Sequence, residues 1–123
     1  MSKNYFVAVY GTLKRGERNH RLMISTNSEF ISNGKTAEKY PLVITGVPYL
    51  FENKGVGHQV ELEVYRVSER GLATLDRLEG HPNFYIRKPI LCELSDGAKR
   101  VCLIYFINKK RTSFEEFALH EKF

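Results

Sequence analysis

The sequence predicts an α+β domain: a small mixed, mostly antiparallel sheet curled into a partial barrel, with one main helix and one or two short helices. Three observations carry that reading. Most apolar segments have the length or the two-residue period of strands, and one segment alone has complete helix start and stop signals. Strands also fail to alternate with helices as a doubly wound parallel sheet requires. A length of 123 residues suits a single domain spanning 1–123. With 42% hydrophobic and 27% charged residues, the composition excludes disorder and collagen-like repeats. No apolar run approaches the roughly 18 residues of a membrane-spanning helix. Met1-Ser2-Lys3-Asn4 enters a strand directly, without the basic and apolar regions of a secretory signal, so a cytoplasmic location is expected.

Tyr5 to Tyr10 is apolar throughout, as in a central strand buried on both faces, and it stops at Gly11. Gly11 to Gly16 reads as a loop, and Asn19 is placed to cap a short helix over His20 to Ser25. Residues 28–40 read as one irregular strand. Leu42 to Thr45 and Tyr49 to Phe51 are short strands separated by Gly46-Val47-Pro48. From Gly57 to Val67 the period is two, with Val60, Leu62 and Val64 on one face and Glu61, Glu63 and Tyr65 on the other. Ser68 is an N-cap for a helix over 69–79, Gly80 its C-cap, and Pro82 blocks continuation. Strands over Tyr85–Leu94 and Arg100–Asn108 are joined at Asp96-Gly97. The tail from Thr112 to Phe123 reads as a terminal helix capped by Ser113, with Phe114, Phe117 and Ala118 on one face.

A two-residue loop at Asp96-Gly97 pairs Ser95 with Ala98, which sets Cys92 opposite Val101 and Leu91 opposite Cys102. In that register the two thiols project from opposite faces and are expected to be reduced core residues. Neither cysteine has the setting of a nucleophile, and no G-x-S-x-G elbow is present. His20, His58, His81 and His120 lack metal-ligand spacing, so a metal site is not expected. Gly11-x-x-x-x-Gly16 has the glycine spacing of a phosphate loop. Glu17 and Arg18 follow where lysine and a hydroxyl residue are required, which excludes a nucleotide triphosphate site. Consecutive N–H groups leaving a strand at Gly11 still suit a small anion such as a carboxylate.

The helix over 69–79 carries the main anomaly. Leu72 and Leu75 mark its buried direction, with Leu78 further round, while Arg70, Thr74 and Arg77 lie on the outer face. Glu79 points between the two buried leucines, and Asp76 lies at the edge of the same stripe. Glu79 then either leans out to solvent from the last turn, or bonds a backbone amide or an arginine such as Arg87, or stands in a partly apolar cleft. In the last case desolvation and the negative end of the helix dipole raise its pKa, making it an acid and base near neutrality.

Val9-Tyr10-Gly11-Thr12-Leu13-Lys14-Arg15-Gly16, Asn19-His20, Tyr40 to Ile44, Glu63-Val64-Tyr65 and Leu75-Asp76-x-x-Glu79-Gly80-x-Pro82 with Tyr85 together resemble the γ-glutamylcyclotransferase-like (AIG2-like) family. The closest likeness is to its γ-glutamylamine branch, and it runs from about residue 5 to residue 108. The tail beyond has no counterpart in the motifs. The resemblance implies a barrel-like fold with one cavity and no cofactor. It implies cyclisation of an L-γ-glutamyl amine, such as ε-(γ-glutamyl)-lysine, to 5-oxoproline and free amine. It makes Glu79 the catalytic residue and Tyr10, Gly11, Thr12 and Leu13 the substrate loop; Tyr85 is expected to line the cleft. A small γ-glutamyl molecule is then the partner, with no nucleic acid or membrane, and a monomer is favoured.

The net charge of +5 leaves an alternative from another class. In it a non-catalytic basic barrel binds an anionic partner or nucleic acid through Lys14, Arg15, Arg18, Arg21 and Lys109-Lys110-Arg111. These basic residues are not interleaved with aromatics suited to stacking bases.

Overall fold

A computed structural model describes residues 3–108, 114, 115 and 117–123. Its strands are β1 (Asn4–Val9), β2 (Glu29–Thr36), β3 (Leu42–Thr45), β4 (Val47–Leu50), β5 (Glu61–Ser68), β6 (Tyr85–Leu94) and β7 (Lys99–Ile107). Its helices are α1 (Arg21–Ser25) and α2 (Glu69–Glu79). The curled sheet closes into a five-stranded barrel in the order β1-β5-β2-β6-β7, and β3-β4 forms a separate ribbon. All barrel pairings are antiparallel except the seam, where β1 meets β7 in parallel at Val7 and Leu103.

Strand alternation builds two cores. Val7, Val9, Tyr65, Val67, Tyr85, Tyr105 and Ile107 share one cluster with Leu72 and Leu75 of α2. Ala8, Leu62, Val64, Ile90, Cys92, Cys102, Ile104 and Phe106 share the other. The first strand is thus buried on both faces at its C-terminal half, as its unbroken apolar run predicts. The Glu63–Tyr65 face of β5 is buried as well, because α2 and the loop after β1 cover it.

Four expectations are corrected. Leu94 pairs with Ala98 through its N–H, and Gly97, at φ 87°, donates to Leu94. The β6–β7 loop is therefore a three-residue turn with glycine in the left-handed position. This moves the register by one, setting Cys92 opposite Arg100 and Ile90 opposite Cys102. A shift of one residue reverses faces, so both thiols lie in the same core cluster, where they are free. Asn19 does not cap α1; His20 takes that position and makes no side-chain cap bond, while Asn19 bonds Thr12. Only Gly46 separates β3 from β4, since Val47 and Pro48 are already in the ribbon, where an edge position tolerates proline. Finally, Phe114, Glu115 and residues 117–123 contain no helix. Their main chain bonds other elements instead: His120 donates to Leu42, and Glu61 donates to Glu121. Thr112 and Ser113 lie outside the described residues.

No helix among the described residues is long and apolar enough to cross a membrane. Strand β2 changes register between Phe30 and Ser32, the irregularity expected there. Gly34 then runs so close to β6 that a Cβ would sit 2.5 Å from the Glu93 carbonyl oxygen. Gly34→Ala should therefore cost about 1–3 kcal/mol through forced strand separation, read as a lower urea midpoint. A midpoint equal to wild type would show that β2 and β6 part without cost.

Candidate active site

Helix α2 is built to deliver its last side chain to a fixed place. Ser68 Oγ accepts from the Gly71 N–H at 3.0 Å, closing the N-terminus. Leu72 and Leu75 are buried in the core, while Leu78 is 43% exposed. At the other end Gly80 is left-handed (φ 67°), its N–H donates to Arg77, and His81 donates to Asp76 at 2.9 Å. This paired C-terminal closure needs a residue without a Cβ penalty at Gly80, and it holds Glu79 at the helix boundary.

The two carboxylates of this turn have different fates. Asp76 accepts from the Tyr105 hydroxyl at 2.7 Å and pairs with Arg87 Nη1 at 3.2 Å. Arg87 also donates its main-chain N–H to His81 Nδ1, at 3.0 Å, which fixes His81 as a loop residue. Glu79 takes part in none of the ion pairs of the described residues. It is partly buried, and loss of water alone pushes its pKa up to about 7.

The loop after β1 forms the facing wall. Tyr10 donates its buried hydroxyl to the Tyr105 carbonyl at 2.7 Å. Gly11 packs against the β3–β4 ribbon, where a Cβ would lie 2.5 Å from Pro48 Cγ. Thr12 is tied twice to Asn19, through its hydroxyl at 3.1 Å and its carbonyl at 2.9 Å. The Leu13 carbonyl lies 2.9 Å from His20 Nδ1. Beyond it, buried Glu63 accepts from the Arg15 N–H at 3.0 Å and from the Tyr65 hydroxyl at 2.9 Å. None of the loop and turn bonds of the described residues uses the N–H groups of Gly11, Thr12 or Leu13 as donors.

Between these walls lies a cavity of about 290 Å³. Every site residue expected from the sequence lines it: Tyr10, Gly11, Thr12, Leu13, Glu79 and Tyr85. Tyr85 donates to the Pro48 carbonyl at 2.6 Å, so its ring is locked as a wall. Burial raises the phenols of Tyr10, Tyr85 and Tyr105, which keeps them protonated at neutral pH. Glu79 is therefore the cavity group positioned to exchange a proton near pH 7. Reading the sequence missed Tyr105, Pro48 and Asn19 as cavity residues and Glu63 as the clasp of the loop. Only the Glu63-Val64-Tyr65 element, singled out by resemblance, pointed toward that clasp.

A carboxylate with a raised folded-state pKa works against the fold once ionised. Its contribution is present below the ordinary value near 4.5 and is lost as pH rises through about 7. That difference amounts to at most about 3 kcal/mol. Glu79→Gln should raise the Tm relative to wild type by an increment that grows between pH 4.5 and 7 and then levels off. An increment constant with pH would mean that Glu79 is not desolvated.

Comparison with known proteins agrees with this architecture. The family profile described as gamma-glutamyl cyclotransferase, AIG2-like, matches residues 7–122, so the likeness extends past residue 108 and includes most of the tail. A provisionally named gamma-glutamylcyclotransferase of Methanocaldococcus jannaschii is 43% identical over 101 residues, covering 82% of each chain. Human gamma-glutamylaminecyclotransferase is 45% identical over 94 residues, covering 72% of this chain and 61% of the human protein. The crystal structure of a mouse AIG2-like protein superposes with a TM-score of 0.91 at 32% identity, covering 98% of this chain and 88% of the mouse chain. A barrel with this cavity and these relatives places the chain in the gamma-glutamyl cyclotransferase, AIG2-like family.

Proposed function

We propose that the protein is a γ-glutamylamine cyclotransferase that converts an L-γ-glutamyl amine, such as ε-(γ-glutamyl)-lysine, to 5-oxoproline and the free amine. The observation that carries this reading is Glu79: a carboxylate in none of the ion pairs of the described residues, lining a cavity, with its pKa raised to about 7 by loss of water. The human and mouse relatives named for this activity support the same choice of substrate class.

The substrate supplies its own nucleophile. Ionised Glu79 takes a proton from the α-ammonium, and the resulting amine attacks the γ-carbonyl carbon, forming the ring C–N bond. The carbonyl oxygen becomes an oxyanion. Protonated Glu79 then gives its proton to the departing nitrogen, and the oxyanion reforms the carbonyl as the amide C–N bond breaks. Glu79 carries the ring nitrogen's second proton to the released amine, leaving 5-oxoproline and an ammonium product. The same carboxylate thus ends the cycle ionised. The N–H groups of Gly11, Thr12 and Leu13 are the donors for the substrate's α-carboxylate or the oxyanion. Walls made by Tyr10 and Tyr85 limit the glutamyl chain to bent conformations, and such ordering is worth several orders of magnitude in rate.

Two cations of the basic-barrel alternative are already engaged within the fold. Lys14 is 7% exposed and donates to the Phe123 carbonyl at 2.9 Å. Arg15 lies over the Phe30 ring, 3.9 Å from its centroid, and pairs with Glu63. Lys109, Lys110 and Arg111 fall outside the described residues.

Release of 5-oxoproline from ε-(γ-glutamyl)-lysine, γ-glutamyl-alanine and glutathione, compared side by side, tests the assignment; a response to the first alone selects the isopeptide substrate. Glu79→Gln should lower turnover by about 100- to 10,000-fold while the circular dichroism stays native. In the wild type kcat/KM should fall below about pH 7 as Glu79 protonates. Full turnover by the Gln variant would remove Glu79 from the chemistry.

A further inference from the structure

Buried and exposed side chains share the cavity lining, and the exposed ones mark its mouth. Tyr10, Tyr85 and Tyr105 are each less than a tenth exposed, whereas Leu78 and Phe84 are 43% and 38% exposed. Arg18 is also exposed and lines the same cavity. Among the described residues it is the only lysine or arginine that does so, and its guanidinium joins none of their ion pairs. The segment that carries it is not loose. The N–H of Glu17 donates to Lys14, that of Asn19 to Thr12, and that of His20 to Glu17, at 2.9–3.1 Å. A fixed backbone therefore presents a single unpaired cation at the mouth, while the proton-transfer group and the main-chain donors line the same cavity.

We infer that Arg18 is a specificity residue for the leaving group: it receives a carboxylate carried by the departing amine, so the enzyme favours γ-glutamyl conjugates whose amine carries a carboxylate over those whose amine carries none. This rests on the cyclotransferase reading above. In that reading the Gly11–Leu13 main chain serves the glutamyl half, as donors to its α-carboxylate or to the oxyanion formed on it, and Arg18 is assigned to the other half of the substrate. Leu78 and Phe84 offer apolar surface at the mouth to the aliphatic part of a lysyl leaving group. A guanidinium binds a carboxylate through two parallel N–H donors, so planar geometry adds to charge.

The test compares two substrates that differ at one group, ε-(γ-glutamyl)-lysine and ε-(γ-glutamyl)-lysinamide, with the wild type and Arg18→Gln. The wild type should favour the carboxylate over the amide by about tenfold in kcat/KM, mainly through KM, as expected for one charge-assisted contact. In Arg18→Gln the ratio should fall to about one. A wild-type ratio already near one, or a ratio that survives the substitution, would overturn the inference while leaving the cyclotransferase reading in place. If wild-type protein releases 5-oxoproline from neither compound nor from γ-glutamyl-alanine, the cyclotransferase reading fails and the inference falls with it.

Discussion

The pairing of Asp76 with Arg87 and Tyr105 is the interaction on which the candidate site depends. It sits three residues before Glu79 on the same helix, and it pairs Arg87 with the first carboxylate of that turn, while Glu79 joins none of the ion pairs of the described residues. Had Arg87 reached Glu79, the acid would have been held ionised, as carboxylates beside guanidinium groups are. Arg87 is paired with Asp76, and loss of water raises the Glu79 carboxyl toward neutrality. Tyr105 extends the same support to the other wall, because its carbonyl accepts from Tyr10 while its hydroxyl donates to Asp76.

The loop opposite depends on a second carboxylate with a different task. Glu63 is buried, but the Arg15 main chain and side chain and the Tyr65 hydroxyl satisfy its oxygens. It acts as an anchor that stops the loop after β1 from rising off the barrel. One buried and one partly buried acid thus have different surroundings: Glu63 meets several donors, whereas Glu79 joins none of the ion pairs of the described residues.

Much of this was legible in the residues. The α2 boundaries follow from Ser68 and Gly80, whose capping chemistry is local and therefore readable in one dimension. The misplaced acid at Glu79 could be read because helical geometry fixes side-chain direction once the boundaries are known. The β6–β7 register was misread because Asp96-Gly97 suits both two- and three-residue turns, and one residue decides which face every later side chain takes. Tyr105 and Pro48 were invisible as site residues because their roles arise only when β7 and the ribbon meet the loop, contacts that span much of the chain. The tail was misread as helix because Phe114, Phe117 and Ala118 fit a helical face. Its main-chain partners at Leu42 and Glu61 belong to strands that a periodicity argument never sees.

Pro48 touches both halves of the cavity: its ring fills the space that Gly11 leaves, and its carbonyl holds Tyr85. It belongs to a ribbon outside the barrel ladder. A wall of the chamber is therefore borrowed from an appendage that the closed sheet does not hydrogen-bond along its strands. Yet the same ribbon sends Val43 into the core that holds α2 and Leu42 and Leu50 into the other, so the chamber wall and the packing of the barrel share one short hairpin.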